Sequence, residues 1–152
     1  MLRGKTVIVD IDGTIADCNH RLHYITSSTQ KKWHEFHSEA LYDDVHNDVV
    51  FVVKALHAAG MKVVICTARN ESNYELTKQW LDEKSGLKGI YEKIYMRASE
   101  DLRDDHLMKI DLLKQMIEDG YHPVIAFDDR NSVVNAFRKA GLRVLQVTDS
   151  DY

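Results

Sequence analysis

Two aspartates, a glycine and a hydroxyl side chain follow directly after a short apolar run near the start of the chain. The run Val7–Val9 leads into Asp10, and Asp12, Gly13 and Thr14 come next. Carboxylates, a small donor and a glycine that permits a tight turn suit a divalent metal, a phosphate group and a carboxylate nucleophile. A β-branched run predicts a buried strand, and open α/β sheets bind ligands at the carboxyl ends of their strands. An acidic turn after an ordinary strand is the alternative interpretation.

Two further apolar runs also end in polar residues, at Thr67 and Arg69 in one case and at Asp128 and Asp129 in the other. The carboxyl ends of parallel strands share one edge of a sheet, so these residues would become neighbours of the first group. Several carboxylates at one edge need a cation, and oxygen ligands at this density favour Mg²⁺. Solvated aspartates in loops would explain any one pair, but not why each pair follows an apolar strand.

The elements that must position these residues alternate between strands and helices. Apolar runs predict five strands, over Val7–Val9, Met61–Cys66, Lys93–Met96, Val124–Phe127 and Leu142–Val147. Helical spacing predicts helices over Asp44–Ala59, Ser72–Leu81, Asp104–Glu118 and Ser132–Lys139. Ser72 and Glu75 are spaced as a capping box. The alternation predicts a three-layer α/β fold with a mainly parallel sheet, in a single domain over residues 1–152.

The polar segment Ala16–Asp43 is too long for an ordinary connection and is either a lid or a functional insertion. Part of it, Gln30–Leu41, has helical character. Trp33 and Phe36, three residues apart, are expected to pack this insertion onto the core rather than to stack on bases. Its histidines match no compact zinc module and are expected at a polar surface or in contact with substrate; they are His20, His23, His34, His37 and His46.

The composition is that of a globular protein. The chain has 152 residues, of which 44% are hydrophobic and 29% charged, with one proline. A net charge of −4 gives no global basic field, so a bound polyanion must be held by a local patch or a metal. Cys18 and Cys66 are the two cysteines, and no disulfide framework is expected. With no secretory segment and no apolar stretch long enough to span a bilayer, we expect a cytoplasmic protein without a membrane partner.

The order of the polar groups resembles the four motifs of the haloacid dehalogenase (HAD) superfamily. Those motifs are carried by Asp10-x-Asp12-Gly13-Thr14, Thr67, Lys109 and Asp128-Asp129. Finer features are similar to the 3′-phosphatase domain of bacteriophage-type polynucleotide kinase-phosphatase, namely Arg21, Arg69, Arg103-x-Asp105-x-x-x-Lys109 and Asp128-Asp129-Arg130. His106 departs from this pattern, because the family commonly has a second aspartate there. The resemblance implies a Rossmann-like HAD fold with a five-stranded sheet and a small cap over about residues 17–43.

The resemblance also implies a Mg²⁺-dependent phosphomonoesterase that forms an aspartyl-phosphate. Asp10 would be the nucleophile, Asp12 would move the proton, Thr67 would bind phosphate oxygens and Lys109 would neutralise charge. Substrate-binding roles are implied for Thr14, Arg21, Arg69 and Asp105. Metal-binding roles are implied for Asp10, Asp12, Asp128 and Asp129. Asp105 would orient Lys109 or Arg69. From the residues alone, Lys109 could be solvated, Arg69 could pair with Glu71, and Arg21 could belong to an exposed loop.

The substrate implied is the 3′-phosphate of a nucleic-acid end or of a 3′-nucleotide. A 5′(3′)-deoxyribonucleotidase or other small-molecule phosphatase is the alternative, and a non-catalytic metal-binding module is a third. The Gly4-Lys5-Thr6 tripeptide lacks the earlier glycine of a P-loop and precedes a strand, so the kinase half is expected to be absent. A separate kinase or ligase is a candidate partner, and the location would be a host cytoplasm if the chain is phage-encoded.

Overall fold

The computed structural model describes residues 1–26 and 30–151. The strands are β1 Thr6–Val9, β2 Ala16–Asp17, β3 Asp44–Val45, β4 Lys62–Asn70, β5 Tyr91–Arg97, β6 Pro123–Arg130 and β7 Arg143–Ser150. The helices are α1 His23–Thr26, α2 Trp33–Ser38, α3 Asn47–Ala58, α4 Tyr74–Glu83, α5 Asp105–Glu118 and α6 Asn131–Lys139. Short 3₁₀ turns cover Asn19–Arg21, Glu39–Tyr42 and Glu71–Asn73.

The main sheet has five strands in the order β5-β4-β1-β6-β7, and all of its neighbouring strands are parallel. At the carboxyl end of β1, Val9 aligns with Ile65 of β4 and with Phe127 of β6. The residues that follow these three positions therefore share one edge of the sheet. This confirms the predicted mainly parallel α/β architecture.

The core lies in two layers, one on each face of the sheet. Successive side chains of a strand point to opposite faces. Val7 and Val9 accordingly pack in one cluster with residues of α3 and α4, whereas Ile8 packs in the other with residues of α5 and α6. Trp80 in one layer and Phe137 in the other are fully buried, each at most 1% exposed. Coverage on both faces explains the nearly continuous apolar runs of the central strands.

Several predicted boundaries were wrong for local reasons. The strands β4, β6 and β7 continue through polar residues, because pairing extends to Asn70 with Arg97 and to Arg130 with Ser150. The helix predicted from Ser72 begins at Tyr74, since the Asn70 side chain accepts a hydrogen bond from the Ser72 amide and caps a 3₁₀ turn instead.

The predicted insertion is tied at its base by a two-stranded antiparallel ribbon. β2 pairs with β3, so Asp44 and Val45 are extended and α3 begins at Asn47 rather than Asp44. The cap segment, residues 17–43, carries α1, α2 and two 3₁₀ turns, and residues 27–29 lie outside the described residues. Within the described parts of the chain, no helix is both long and apolar enough to cross a membrane.

Candidate active site

A cleft of about 530 Å³ opens at the carboxyl edge of the sheet. It receives Asp10 after β1, Thr67 and Arg69 from β4, and Asp129 from β6. Lys109, on α5, also faces this cleft. The sheet thus brings together groups from the predicted strand ends, while the cap and the segment after β5 supply the remaining walls.

Three carboxylates converge at the base of the cleft. Asp10, Asp128 and Asp129 each offer an oxygen atom within 4.8 Å of the others, and all three side chains are buried. Lys109 Nζ donates to Asp10 Oδ1 at 2.9 Å and to Asp128 Oδ2 at 2.7 Å. The solvated-lysine alternative is therefore wrong. Thr14 is fully buried and donates from Oγ1 to Asp10 Oδ2 at 2.8 Å. The Thr14 hydroxyl orients Asp10 here, and its contact with substrate stays a prediction.

Gly13 makes room for this cluster. Its φ is +82°, and a Cβ atom built there would overlap the Asp129 carboxylate. Both facts require glycine: the conformation is one that side-chain-bearing residues rarely adopt, and the space is already filled. The turn after β1 therefore allows the end of β6 to approach Asp10 closely.

The charged groups of the cluster shift one another's pKa values. Burial raises the pKa of Asp10, and Asp128 and Asp129 raise it further, while Lys109 acts in the opposite direction. Burial lowers the pKa of Lys109, but the attraction of Asp10 and Asp128 outweighs it and holds the pKa above its ordinary value. Lys109 thus contacts two of the three carboxylates, Asp10 and Asp128. A compact set of oxygen ligands with excess negative charge fits Mg²⁺.

Asp12 lies with two arginines rather than with the carboxylate cluster. Arg69 donates to it twice, from Nε at 2.9 Å and from Nη2 at 2.7 Å, and Arg21 Nη2 donates at 2.6 Å. Burial raises the pKa of Asp12, but Arg69 and Arg21 outweigh this effect and hold the pKa well below its usual range. Among the described residues the convergent group comprises Asp10, Asp128 and Asp129. The placement does not support the predicted metal-ligand role of the Asp12 carboxylate.

The two arginines are themselves buried and held in place. Arg21 is 1% exposed, so the exposed-loop alternative is wrong, and Arg69 pairs with Asp12 rather than with Glu71. Arg69 also donates to Thr77 Oγ1 at 3.2 Å. The second anion of this network is Asp43, which the sequence analysis missed.

Asp43 is fully buried beneath the cap. Arg21 donates to it from Nε and from Nη2, both at 2.8 Å, and His20 Nε2 lies 2.7 Å from its Oδ1. Its backbone carbonyl accepts a hydrogen bond from Trp80 Nε1 at 2.9 Å. The spacing of residues does not distinguish Asp43 from the exposed Asp44 beside it, because the path of the β2–β3 ribbon determines which of the two side chains is buried.

Asp105 pairs with two arginines rather than with Lys109 or Arg69. It accepts from Arg97 Nη2 at 2.6 Å and from Arg130 Nη1. The prediction that it orients Lys109 or Arg69 is therefore wrong, because its position in the first turn of α5 faces β5 and the end of β6.

Thr67 lies where the sequence predicted it. It lines the cleft, and its hydroxyl accepts a hydrogen bond from the Arg69 amide at 3.2 Å.

The cap forms an apolar wall of the cleft. Trp33 is 48% exposed, and neither Trp33 nor Phe36 is among the described residues that build the two core clusters. The prediction that they pack the insertion onto the core is therefore wrong. The two rings meet edge to face, 5.8 Å apart, and His37 stacks on Trp33 at 5.9 Å. In the described part of the chain the histidines form no metal-binding group.

Comparisons with known proteins identify the family and the fold of this chain. Residues 4–152 match the family described as the polynucleotide kinase PNKP phosphatase domain. A protein of Autographa californica nuclear polyhedrosis virus, assigned as a bifunctional polynucleotide kinase/RNA ligase, is 27% identical over 135 residues, which are 88% of this chain and 18% of that protein. A chain of the solved Pnkp1/Rnl/Hen1 complex matches with a TM-score of 0.79 and 30% identity, over 99% of this chain and 48% of that one. The class C acid phosphatase of Bacillus anthracis shares the fold, with a TM-score of 0.69 and 13% identity over 99% of this chain and 69% of its own.

The parallel sheet and the groups at its carboxyl edge thus define a HAD-type phosphoric monoester hydrolase. Within that class, the chain belongs to the family of polynucleotide kinase PNKP phosphatase domains. The resemblance noted in the sequence is confirmed. The chain spans less than half of the chain it matches in the Pnkp1 complex and less than a fifth of the viral protein.

Proposed function

We propose that this protein is a Mg²⁺-dependent phosphatase that removes 3′-phosphate groups from nucleic-acid ends. The observation that carries the proposal is the contact of Lys109 with both Asp10 and Asp128, which places a nucleophile, a metal-binding carboxylate and a fixed positive charge within hydrogen-bonding distance. The family match supports the same chemistry.

The residues support a two-step displacement. In the first step an Asp10 oxygen forms a bond to phosphorus as the ester oxygen leaves. That oxygen takes a proton from Asp12, which acquires one from solvent only when the substrate phosphate draws Arg69 and Arg21 away from its carboxylate. In the second step Asp12 takes a proton from water, the water oxygen attacks phosphorus, and the bond to Asp10 breaks to release inorganic phosphate. Thr67 donates to a phosphate oxygen, and Lys109 stabilises the added negative charge. Asp10, Asp128 and Asp129 would hold Mg²⁺, which supplies neutralisation of the phosphate charge.

The nucleic-acid substrate is supported by the family and by the charge of the cleft. Arg97, Arg103 and Arg130 line the cleft beyond the cluster, and the Arg103 side chain is 49% exposed. The half-exposed Arg103 can bind a phosphodiester of a strand whose terminal phosphate reaches Asp10, whereas Arg97 and Arg130 are paired with Asp105. A mononucleotide is the alternative substrate, because a cleft of this size also encloses a small molecule.

The relatives suggest the setting in which the enzyme acts. One relative is assigned as a kinase/ligase, and another belongs to a complex named Pnkp1/Rnl/Hen1. A phosphatase that exposes a 3′-hydroxyl group prepares an end for joining, so we propose that a separate kinase or ligase uses its product.

The test is a panel of phosphate esters with Mg²⁺ or with a chelator. Oligonucleotides phosphorylated at the 3′ or the 5′ end are compared with free 3′- and 5′-nucleotides, and released phosphate is measured. We expect Mg²⁺-dependent release with a preference for the 3′-phosphorylated strand. A large preference for mononucleotides would support the deoxyribonucleotidase alternative.

A variant pair tests the nucleophile. Asp10→Asn is expected to abolish turnover, because an amide cannot form the acyl-phosphate, whereas the exposed Asp48→Asn serves as the matched control and is expected to retain it. Retained phosphatase activity in Asp10→Asn would contradict the enzymatic proposal.

A further inference from the structure

The cleft has an apolar wall that the proposed phosphate chemistry does not use. Leu22, Ile25, Trp33 and Phe36 of the cap line it, together with Leu102 from the segment after β5. Trp33 is 48% exposed and Leu102 is 93% exposed. A group of large apolar side chains at the mouth of a charged site is typical of a ligand-binding surface.

This wall lies on the side of the site that faces Asp12. The Arg21 guanidinium covers the Phe36 ring, with Cζ 4.3 Å from the ring centroid, and donates to the Phe36 carbonyl at 3.2 Å. The same guanidinium donates to Asp12 at 2.6 Å. One side chain therefore separates Phe36 from the carboxyl group proposed to protonate the leaving oxygen. The leaving group of the ester, a nucleoside, would extend from Asp12 towards α2.

We propose that Trp33 is a stacking platform for the base of the terminal nucleotide. The inference rests on the proposed function and adds the part of the substrate that the cap recognises. Bases of any sequence stack on an aromatic face, so the platform would bind a nucleotide without selecting its base. The cleft volume of about 530 Å³ is within the range that encloses a small ligand.

The present contacts of the ring are compatible with a stacked base. The His37 ring stacks on Trp33 with the centroids 5.9 Å apart, and Nζ of the exposed Lys31 lies 5.4 Å from the Trp33 centroid, so a base would take the place of the Lys31 ammonium rather than of His37. A cation–π contact at an exposed site is weaker than base stacking, so the base displaces the ammonium. The released Lys31 remains close to the backbone phosphates, and the arginines on the other wall complement the same negative charge. The charge pattern thus favours a nucleotide over an apolar peptide side chain.

Paired substrates isolate the contribution of the base. An oligothymidine strand ending in thymidine 3′-phosphate is compared with the same strand ending in a tetrahydrofuran abasic 3′-phosphate, and kcat/KM is measured for both. The wild-type protein is expected to favour the base-bearing end by about 10-fold or more. Trp33→Ala is expected to reduce this ratio towards one, and Trp33→Phe to retain most of it. The exposed Phe51→Ala on α3 is the matched control and leaves the ratio unchanged.

Tryptophan fluorescence supplies a readout independent of turnover. Trp80 is 0% exposed, so quenching by a strand added to the Asp10→Asn variant reports on Trp33. We expect quenching with the base-bearing strand and weaker quenching with the abasic strand. Quenching should be lost when Trp33→Phe is added.

The outcomes separate this inference from the proposed function. Equal hydrolysis of the two strands by the wild-type protein would overturn the stacking role while supporting the 3′-phosphatase activity. An equal loss on both strands in Trp33→Ala would mean a structural role and would also overturn the inference. Hydrolysis of neither strand, with activity on mononucleotides retained, would contradict the proposed function itself.

Discussion

Arg21 and Asp43 form a buried, two-point ion pair beneath the cap, with both hydrogen bonds at 2.8 Å. The same arginine reaches Asp12 at 2.6 Å. The cap is therefore connected to the site through charged groups, and its position is coupled to that of the proposed acid–base residue. A buried arginine of this kind needs its anion, because an unpaired charge in the interior is costly.

The Asp43→Asn variant is expected to lower kcat/KM by about 10- to 100-fold, because Arg21 loses the anion that orients it towards Asp12. The free energy of unfolding is expected to fall by up to about 3–5 kcal/mol, the cost of breaking a buried pair. Steady-state kinetics and urea unfolding measure the two effects. Asp44→Asn, at the exposed neighbour, is the control. Identical kinetics in the two variants would contradict a positioning role for Asp43.

Replacing Lys109 by methionine tests the fixed positive charge. Lys109→Met keeps the length of the side chain but leaves Asp10 and Asp128 without their ammonium partner. A fall in kcat of about 10²- to 10³-fold is expected, the effect of removing one preorganised donor. Lys114→Met, on the same helix with a side chain 72% exposed, is expected to behave as wild type. Activity within a few-fold of wild type in Lys109→Met would exclude the charge-neutralising role.

Two glycines with similar backbone conformations allow the effect of a side chain that crowds Asp129 to be distinguished from the effect of an unfavourable φ angle. Gly13 and Gly89 have φ values of +82° and +77°, but a Cβ atom meets Asp129 at Gly13 and nothing within 4 Å at Gly89. Both Gly→Ala changes should cost about 1 kcal/mol of stability from the unfavourable φ. Gly13→Ala alone should also raise the Mg²⁺ concentration needed for half-maximal activity, because Asp129 is displaced. Equal Mg²⁺ titrations for the two variants would argue against Asp129 as a ligand.

The cysteines are expected to be unreactive in the folded protein. Burial raises the pKa of the Cys18 thiol and that of the Cys66 thiol to about 12. A raised pKa keeps a thiol protonated at any pH below it, and the thiolate is the nucleophile. Iodoacetamide at pH 8 should therefore add to neither thiol before unfolding and to both in guanidinium chloride, as counted by mass spectrometry. Rapid modification of the native protein would show that one site is more open than the structure indicates.

Local sequence patterns predicted the presence of the helices and strands more accurately than the residues at which they begin and end. The apolar runs located the five sheet strands because strands buried on both faces need continuous apolar sequence. The start of α4 was misplaced because the Asn70 side chain competes for the Ser72 amide, a choice that spacing does not reveal. Trp33 was assigned to the core for its residue type, yet it lines the cleft. An aromatic at helical spacing has the same pattern whether its face meets the core or solvent.

The sequence by itself predicted the candidate reaction groups. Asp10, Asp12 and Asp129 are recognisable because they follow apolar strands whose carboxyl ends share one sheet edge. Lys109, on a helix, was expected only from the resemblance to the HAD motifs. Only the tertiary structure decided which side chains of the site pair with one another. Asp12 pairs with Arg69 and Arg21 rather than joining the carboxylate cluster, and Thr14 donates to Asp10. Asp105 pairs with Arg97 and Arg130 rather than with Lys109 or Arg69. Pairing between distant charges depends on distances across the sheet and under the cap, which residue types and spacing do not encode.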